Sequence, residues 1–167
     1  MKYFKLTVDK HYTPPIPIGW YGILDRKTLE KKRAYQMPKH MLFYVESHMQ
    51  MVFTDVVTFP CFMVSKMIRD VIEKYDPFVR FARVILYDRE RKNSMPYYIP
   101  FLSSVQTAGG DDVGKETVAE DAIPDSELRN HVIAELKTSD KACVVIRLDL
   151  AESILRRGAV GVGLEEL

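Results

Sequence analysis

The sequence predicts an α+β fold: one domain with a mixed, mostly antiparallel sheet, two well-capped helices and a few shorter ones. Three observations carry this. Short β-branched and aromatic runs recur at residues 2–8, 80–87, 97–102 and 143–148, bounded by turn-forming or charged residues. Two other segments, 65–75 and 149–157, carry an apolar stripe at helical spacing. Each of these helices follows an apolar strand and leads into another, so a strand–helix–strand unit can occur twice. Hydrophobic residues make up 47% of the 167 positions and charged residues 28%, which excludes a disordered or fibrous chain.

The first strand is read at residues 2–8. Thr13-Pro14-Pro15-Ile16-Pro17-Ile18-Gly19 then forbids helix, because proline removes the backbone donor and fixes φ. Residues 25–35 suit a charged helix in which Glu30 meets nearby lysines. Its Lys31-Lys32-Arg33 run reads as a solvated face. Residues 41–46 and 49–54 suggest two strands joined near Ser47 and His48. In the second, period-two spacing puts Met49, Met51 and Phe53 on a core face. Ser65 is a good N-cap for the helix that buries Met67, Ile68, Val71, Ile72 and Tyr75, and Asp76-Pro77 stops it.

Residues 80–87 and 97–102 read as a long-loop hairpin over the charged stretch 88–94. Pro100 places the second strand at an edge or near its end. Residues 103–123 lose apolar periodicity, and 103–127 is predicted to be a flexible acidic loop. Residues 126–137 suggest a short helix. After the strand at 143–148, Asp149 is predicted to cap the second clear helix, with Glu152 completing an acidic capping box and Gly158 ending it. Residues 159–164 read as a closing strand.

The net charge of +1 hides an asymmetry. Residues 1–100 hold 17 Lys+Arg and 10 Asp+Glu, a net of +7, whereas residues 101–167 hold 7 and 13, a net of −6. From Asp111 to Glu127, seven acids face one base, Lys115. An acidic surface of this kind suits a cationic protein partner, because charge steers association. Asp111, Asp112, Glu116, Glu120 and Asp121 are therefore the candidate partner-binding residues.

No motif for catalysis, metal or cofactor emerges. Gly109-Gly110-Asp111-Asp112-Val113-Gly114-Lys115 matches the start of a phosphate-binding loop, but Glu116 replaces the required Ser or Thr and two aspartates would repel phosphate. His11, His40, His48 and His131 lack helical metal-pair spacing, and the chain has no Cys-x-x-Cys. Cys61 and Cys143 lie in apolar runs and read as buried thiols. Asp70 with Glu73, and Asp88 with Glu90, sit among bases and read as ion pairs. The N-terminus lacks an apolar signal region, and no apolar run reaches a membrane span. These features predict a cytoplasmic protein with no membrane partner.

Asp55, then Pro60-Cys61-Phe62-Met63-Val64-Ser65, the stripe ending at Ile72, and Tyr97-Tyr98-Ile99-Pro100-Phe101 form a pattern spanning residues 55–102. It resembles a bacterial family of unknown-function proteins associated with the immunity proteins of polymorphic toxin systems. Ile146-Arg147-Leu148-Asp149, running on through Leu155 to Gly158 and Gly161, is similar to that family's closing helix and strand. Together these cover roughly half the chain. The resemblance implies a non-enzymatic protein that binds and neutralises a cognate toxin, and it carries over no catalytic residue. The alternative is an enzyme or small-ligand domain whose site converges from distant residues such as His40, His48, Asp55 or Tyr97. A nucleic-acid binder using the scattered bases of residues 1–100 ranks last.

Overall fold

A computed structural model describes residues 1–107, 125–138 and 141–167. The N-terminal part contains β1 (Tyr3–Val8), α1 (Arg26–Glu30), a 3₁₀ turn (Ala34–Gln36) and β2 (Leu42–Tyr44). Next come β3 (Val56–Val57), β4 (Met63–Ser65), α2 (Lys66–Tyr75), β5 (Arg80–Asp88), β6 (Asn93–Phe101) and β7 (Ser104–Gln106). The C-terminal part holds α3 (Asp125–Leu128), β8 (Ile133–Lys137), β9 (Ala142–Arg147), α4 (Leu148–Arg156) and β10 (Val162–Glu166). The class is α+β, with two five-stranded mixed sheets, ordered β10-β1-β9-β8-β7 and β2-β5-β6-β4-β3.

The strand–helix–strand unit does occur twice, and the two copies share a topology. In the second sheet, β4 leads through α2 to β5, and β6 lies between those strands, antiparallel to both. In the first sheet, β9 leads through α4 to β10, and β1 lies between them, again antiparallel to both. A hairpin partner flanks each entry strand: β3 beside β4 and β8 beside β9. The N-terminal strand thus does for the C-terminal unit what β6 does for the central one. The two helices pack together, and the Tyr75 hydroxyl on α2 bonds the Ser153 hydroxyl on α4 at 2.5 Å and donates to the Asp149 carbonyl at 3.2 Å.

Amphipathicity explains the helices. Ile68, Val71 and Ile72 of α2 face Leu150, Ala151 and Ile154 of α4 in one cluster with Leu6, Val64 and Ile146. Full burial stabilises each of the Val, Leu and Ile side chains by roughly 1.5–3 kcal/mol. Ser65 caps α2 as predicted, its hydroxyl accepting from the Ile68 N–H at 3.4 Å. The start of α4 differs. Its N-cap is Arg147, with no side-chain cap, and Asp149 lies inside the first turn. There the Asp149 carboxylate takes a bidentate pair from the Arg147 guanidinium at 2.8 and 2.7 Å, and Glu152 reaches Arg156 at 3.5 Å instead of closing a capping box.

Tertiary pairing overrides several local readings. Residues 133–137 form β8 rather than helix, because β9 on one side and β7 on the other use their backbone groups. β7 and α3 also occupy the two ends of the predicted acidic loop. Residues 49–54 form no strand. Arg91 takes the carbonyls of His48 and Met51 at 2.5 and 3.1 Å, and Met51 is buried while Met49 is 93% exposed. β6 starts at Asn93, earlier than predicted, because Asp88 is wholly buried and its carboxylate accepts from the Glu90 and Arg91 N–H groups, tightening the turn. Strand β6 is interior, yet it pairs with β4 only at Tyr97 and Tyr98. Pro96 and Pro100 bracket that stretch, so neither costs a bond on the β4 side.

Candidate functional site

Asp111, Asp112, Glu116, Glu120 and Asp121 lie outside the described residues. Of the four residues of the convergent-site alternative, Asp55 and Tyr97 lie close enough for the carboxylate charge to act on the phenol, and none of the four lines either cleft described below. Tyr97 is fully buried and donates from its hydroxyl to the Thr54 carbonyl at 2.7 Å. Burial, followed by the charge of Asp55, pushes this phenol well above its ordinary range. Asp55 clamps the turn before β10: its carboxylate accepts from the Val160 N–H at 2.6 Å, and its own N–H donates to the Val160 carbonyl at 2.8 Å. His40 and His48 are exposed, and His48 Nδ1 accepts from the Gln50 N–H at 3.1 Å. Among the described residues, no three His, Cys, Asp or Glu side chains stand together as metal ligands.

The second sheet carries an open face. Along β5, Ala82, Val84 and Leu86 point into a core covered by Leu24, Met37 and Met41. Arg83, Ile85 and Tyr87 point the other way, as strand alternation requires. Register then builds two rows across that outer face. Leu42, Ile85 and Pro96 stand side by side, as do Tyr44, Tyr87 and Ser94. The proline-rich segment extends the second row, because the Ile18 N–H donates to the Tyr44 carbonyl at 2.7 Å and Pro17 bridges Val45. Residues 16–18 thereby cover the β2 edge, which would otherwise offer free backbone groups.

Helix α2 covers β4 and the neighbouring part of β6, with Arg69 stacked 4.5 Å above the Tyr98 ring. The two rows lie outside this cover. Leu42 is 53% exposed, Ile18 53% and Tyr44 43%. Tyr44 and Tyr87 form a tilted ring pair at 6.0 Å, and the Arg89 guanidinium stacks 4.7 Å from the Tyr44 ring. Arg83 and Arg89 make no salt bridge among the described residues. The face therefore joins aliphatic side chains to tyrosines and uncompensated guanidinium groups, and the last two are residue types enriched at the energetic centres of protein interfaces. Its sequence signal is that β5 carries apolar residues on both sides, so that two faces of the strand need cover.

A cleft of about 480 Å³ lies between the sheets, lined by Lys5 of β1, Cys143 of β9, Glu135 and Lys137 of β8, Phe101 of β6 and residues of α1. Much of its charge is internally matched. Lys137 reaches Glu30 and Glu135, each at 3.5 Å, and Arg26 reaches Glu30 at 2.9 Å. Burial opposes ionisation of Glu30, but Lys137 and Arg26 outweigh it and hold the carboxyl below its ordinary range. Burial pushes the Cys143 thiol up, and it pushes Cys61, also on the wall, to about 12. Both thiols therefore stay protonated near neutrality, which suits packing rather than nucleophilic attack.

No protein-family model matches this chain, and no curated protein matches it. Among the described residues, no helix is long and apolar enough to cross a membrane.

Proposed function

We propose that the protein is a non-enzymatic, immunity-type binding module that neutralises a cognate bacterial toxin, with the open face of the second sheet as its contact surface. The observation that carries this reading is the pair of rows in which exposed Tyr44 and Leu42 stand beside half-buried Tyr87 and Ile85, flanked by Arg83 and Arg89. A rigid sheet holds these side chains, so little entropy is lost when a partner covers them. The motif resemblance over residues 55–102 and 146–164 supports the same class. The candidate acids Asp111, Asp112, Glu116, Glu120 and Asp121 would add steering toward a cationic region of the toxin. The compartment that fits is the cytoplasm.

The test is growth rescue. A toxin-like protein encoded beside this chain's gene is expressed with and without the chain. Rescue by the wild type, lost in Leu42→Asp and Tyr44→Asp variants of unchanged thermal stability, supports the proposal. Failure of the wild type to rescue refutes it.

The inter-sheet cleft favours a second reading, a small-ligand domain. A ligand there must break the Lys137–Glu30 and Lys137–Glu135 pairs. Small anions that raise the melting temperature of the wild type but not of Lys137→Met would favour it.

A further inference from the structure

A second surface lies at the opposite end of the β5–β6 hairpin, remote in register from Tyr44 and Tyr87. Here the 3₁₀ turn and the start of β5 border a groove of about 400 Å³ lined by Lys32, Arg33, Tyr35, Phe78, Arg80 and Phe101. Tyr35 is 76% exposed and Phe78 83%. Both rings stand on turns whose backbone is held by side-chain hydrogen bonds. Gln36 fixes the 3₁₀ turn by accepting from the Arg33 N–H at 2.8 Å, and Asp76 fixes the other bank by accepting from the Phe78 N–H at 3.1 Å. Two large rings are thus displayed to solvent on ordered turns, at the cost of leaving apolar area in water.

The charge of the groove has one sign. Lys32, Arg33 and Arg80 make no salt bridge among the described residues, and the Arg80 guanidinium donates to the Pro77 carbonyl at 3.4 Å. No carboxylate lines the groove, and that of Asp76, two residues before Phe78, accepts from the Phe78 N–H. Lys32 and Phe101 also line the inter-sheet cleft, so the groove continues into it. The cleft's acids are held by Lys137 and Arg26, which leaves the three groove cations uncompensated.

We infer that this groove docks an acidic polypeptide segment, with an apolar side chain seated between Tyr35 and Phe78 and carboxylates paired with Lys32, Arg33 and Arg80. Three cations around an apolar seat suit a short segment carrying an apolar anchor among acids. A nucleic-acid strand fits less well, because it needs cations that track a line of phosphates along the protein. The inference goes beyond the toxin-binding reading and uses none of the residues of the open face, so either can fail alone.

Fluorescence anisotropy of the full chain tests it. The probes are short labelled peptides of glutamate with a single Phe, Trp or Leu, the matching lysine peptides, and a single-stranded oligonucleotide. The acidic peptides are expected to bind, with affinity falling as salt rises. Phe78→Ala and Arg80→Glu should each weaken binding at least ~10-fold. Both side chains are exposed, so the melting temperature of each variant should match the wild type, and Leu42→Asp should bind the peptides normally. The inference is overturned if no acidic peptide binds, if Phe78→Ala and Arg80→Glu bind as the wild type does, or if lysine peptides or the oligonucleotide bind more tightly at the same ionic strength.

Discussion

The buried phenol of Tyr97 donates a 2.7 Å hydrogen bond to the carbonyl of Thr54, joining the interior strand β6 to the segment that enters β3. Because burial and the Asp55 charge raise the phenol's pKa, it remains a donor well into the alkaline range. Tyr97→Phe would leave the Thr54 carbonyl without this donor. Leaving a buried acceptor unsatisfied costs about 1–3 kcal/mol. The expected result is a lower urea midpoint with an unchanged m-value. A midpoint equal to that of the wild type would show that the bond contributes nothing.

Gly161 precedes β10 with φ +70°, and a Cβ there would overlap the Thr54 methyl group. Thr54 is fully buried, with its hydroxyl committed to the Val56 carbonyl at 2.7 Å, so it has little room to yield. Backbone strain and overlap should act together in Gly161→Ala, at a cost of about 1–3 kcal/mol. Gly158 also has positive φ, but nothing lies near its missing side chain. Gly158→Ala should therefore cost less, and equal melting temperatures for the two variants would contradict this.

The thiols make a reactivity test. Cys61 is buried, with its pKa pushed to about 12, and burial also raises that of half-buried Cys143. Alkylation by iodoacetamide at pH 8 should be slower at both than at a free cysteine, and Cys143 should react before Cys61. Mass spectrometry of timed samples reads the order. Rapid labelling of Cys61 in the folded protein would refute the assigned burial.

Acid should weaken the start of α4. The Arg147 hydrogen bonds hold the Asp149 carboxyl below its ordinary range in the folded protein. The pair's contribution is therefore complete above the unfolded value of about 3.9 and is lost as pH falls through the lower folded value. The melting temperature of Asp149→Asn should lie below that of the wild type at pH 7, and the gap should close below about pH 4. A gap independent of pH would rule out the ion pair as its source.

Periodic segments were legible in the sequence where the local signal and the tertiary environment agree. Ser65, the Ile68–Val71–Ile72 stripe and Asp76-Pro77 place α2 to within a residue. Asp149 misled, because a carboxylate that can cap is equally able to pair with Arg147 two residues earlier. Residues 133–137 misled because a strand central to its sheet is set by neighbours distant in sequence. The open face is not legible from the two-sided apolar pattern of β5 alone. It depends on β2 lying parallel beside β5, a pairing between residues more than forty positions apart that no local pattern encodes.

The most direct test of the central claim is calorimetric titration of the purified neighbouring toxin into the wild type and into Tyr44→Ala. The expected result is saturable binding to the wild type, at least ~10-fold weaker in Tyr44→Ala, with equal melting temperatures for the two proteins. Equal affinity for both would move the interface off the open face, and absence of binding to the wild type would contradict the proposed function itself.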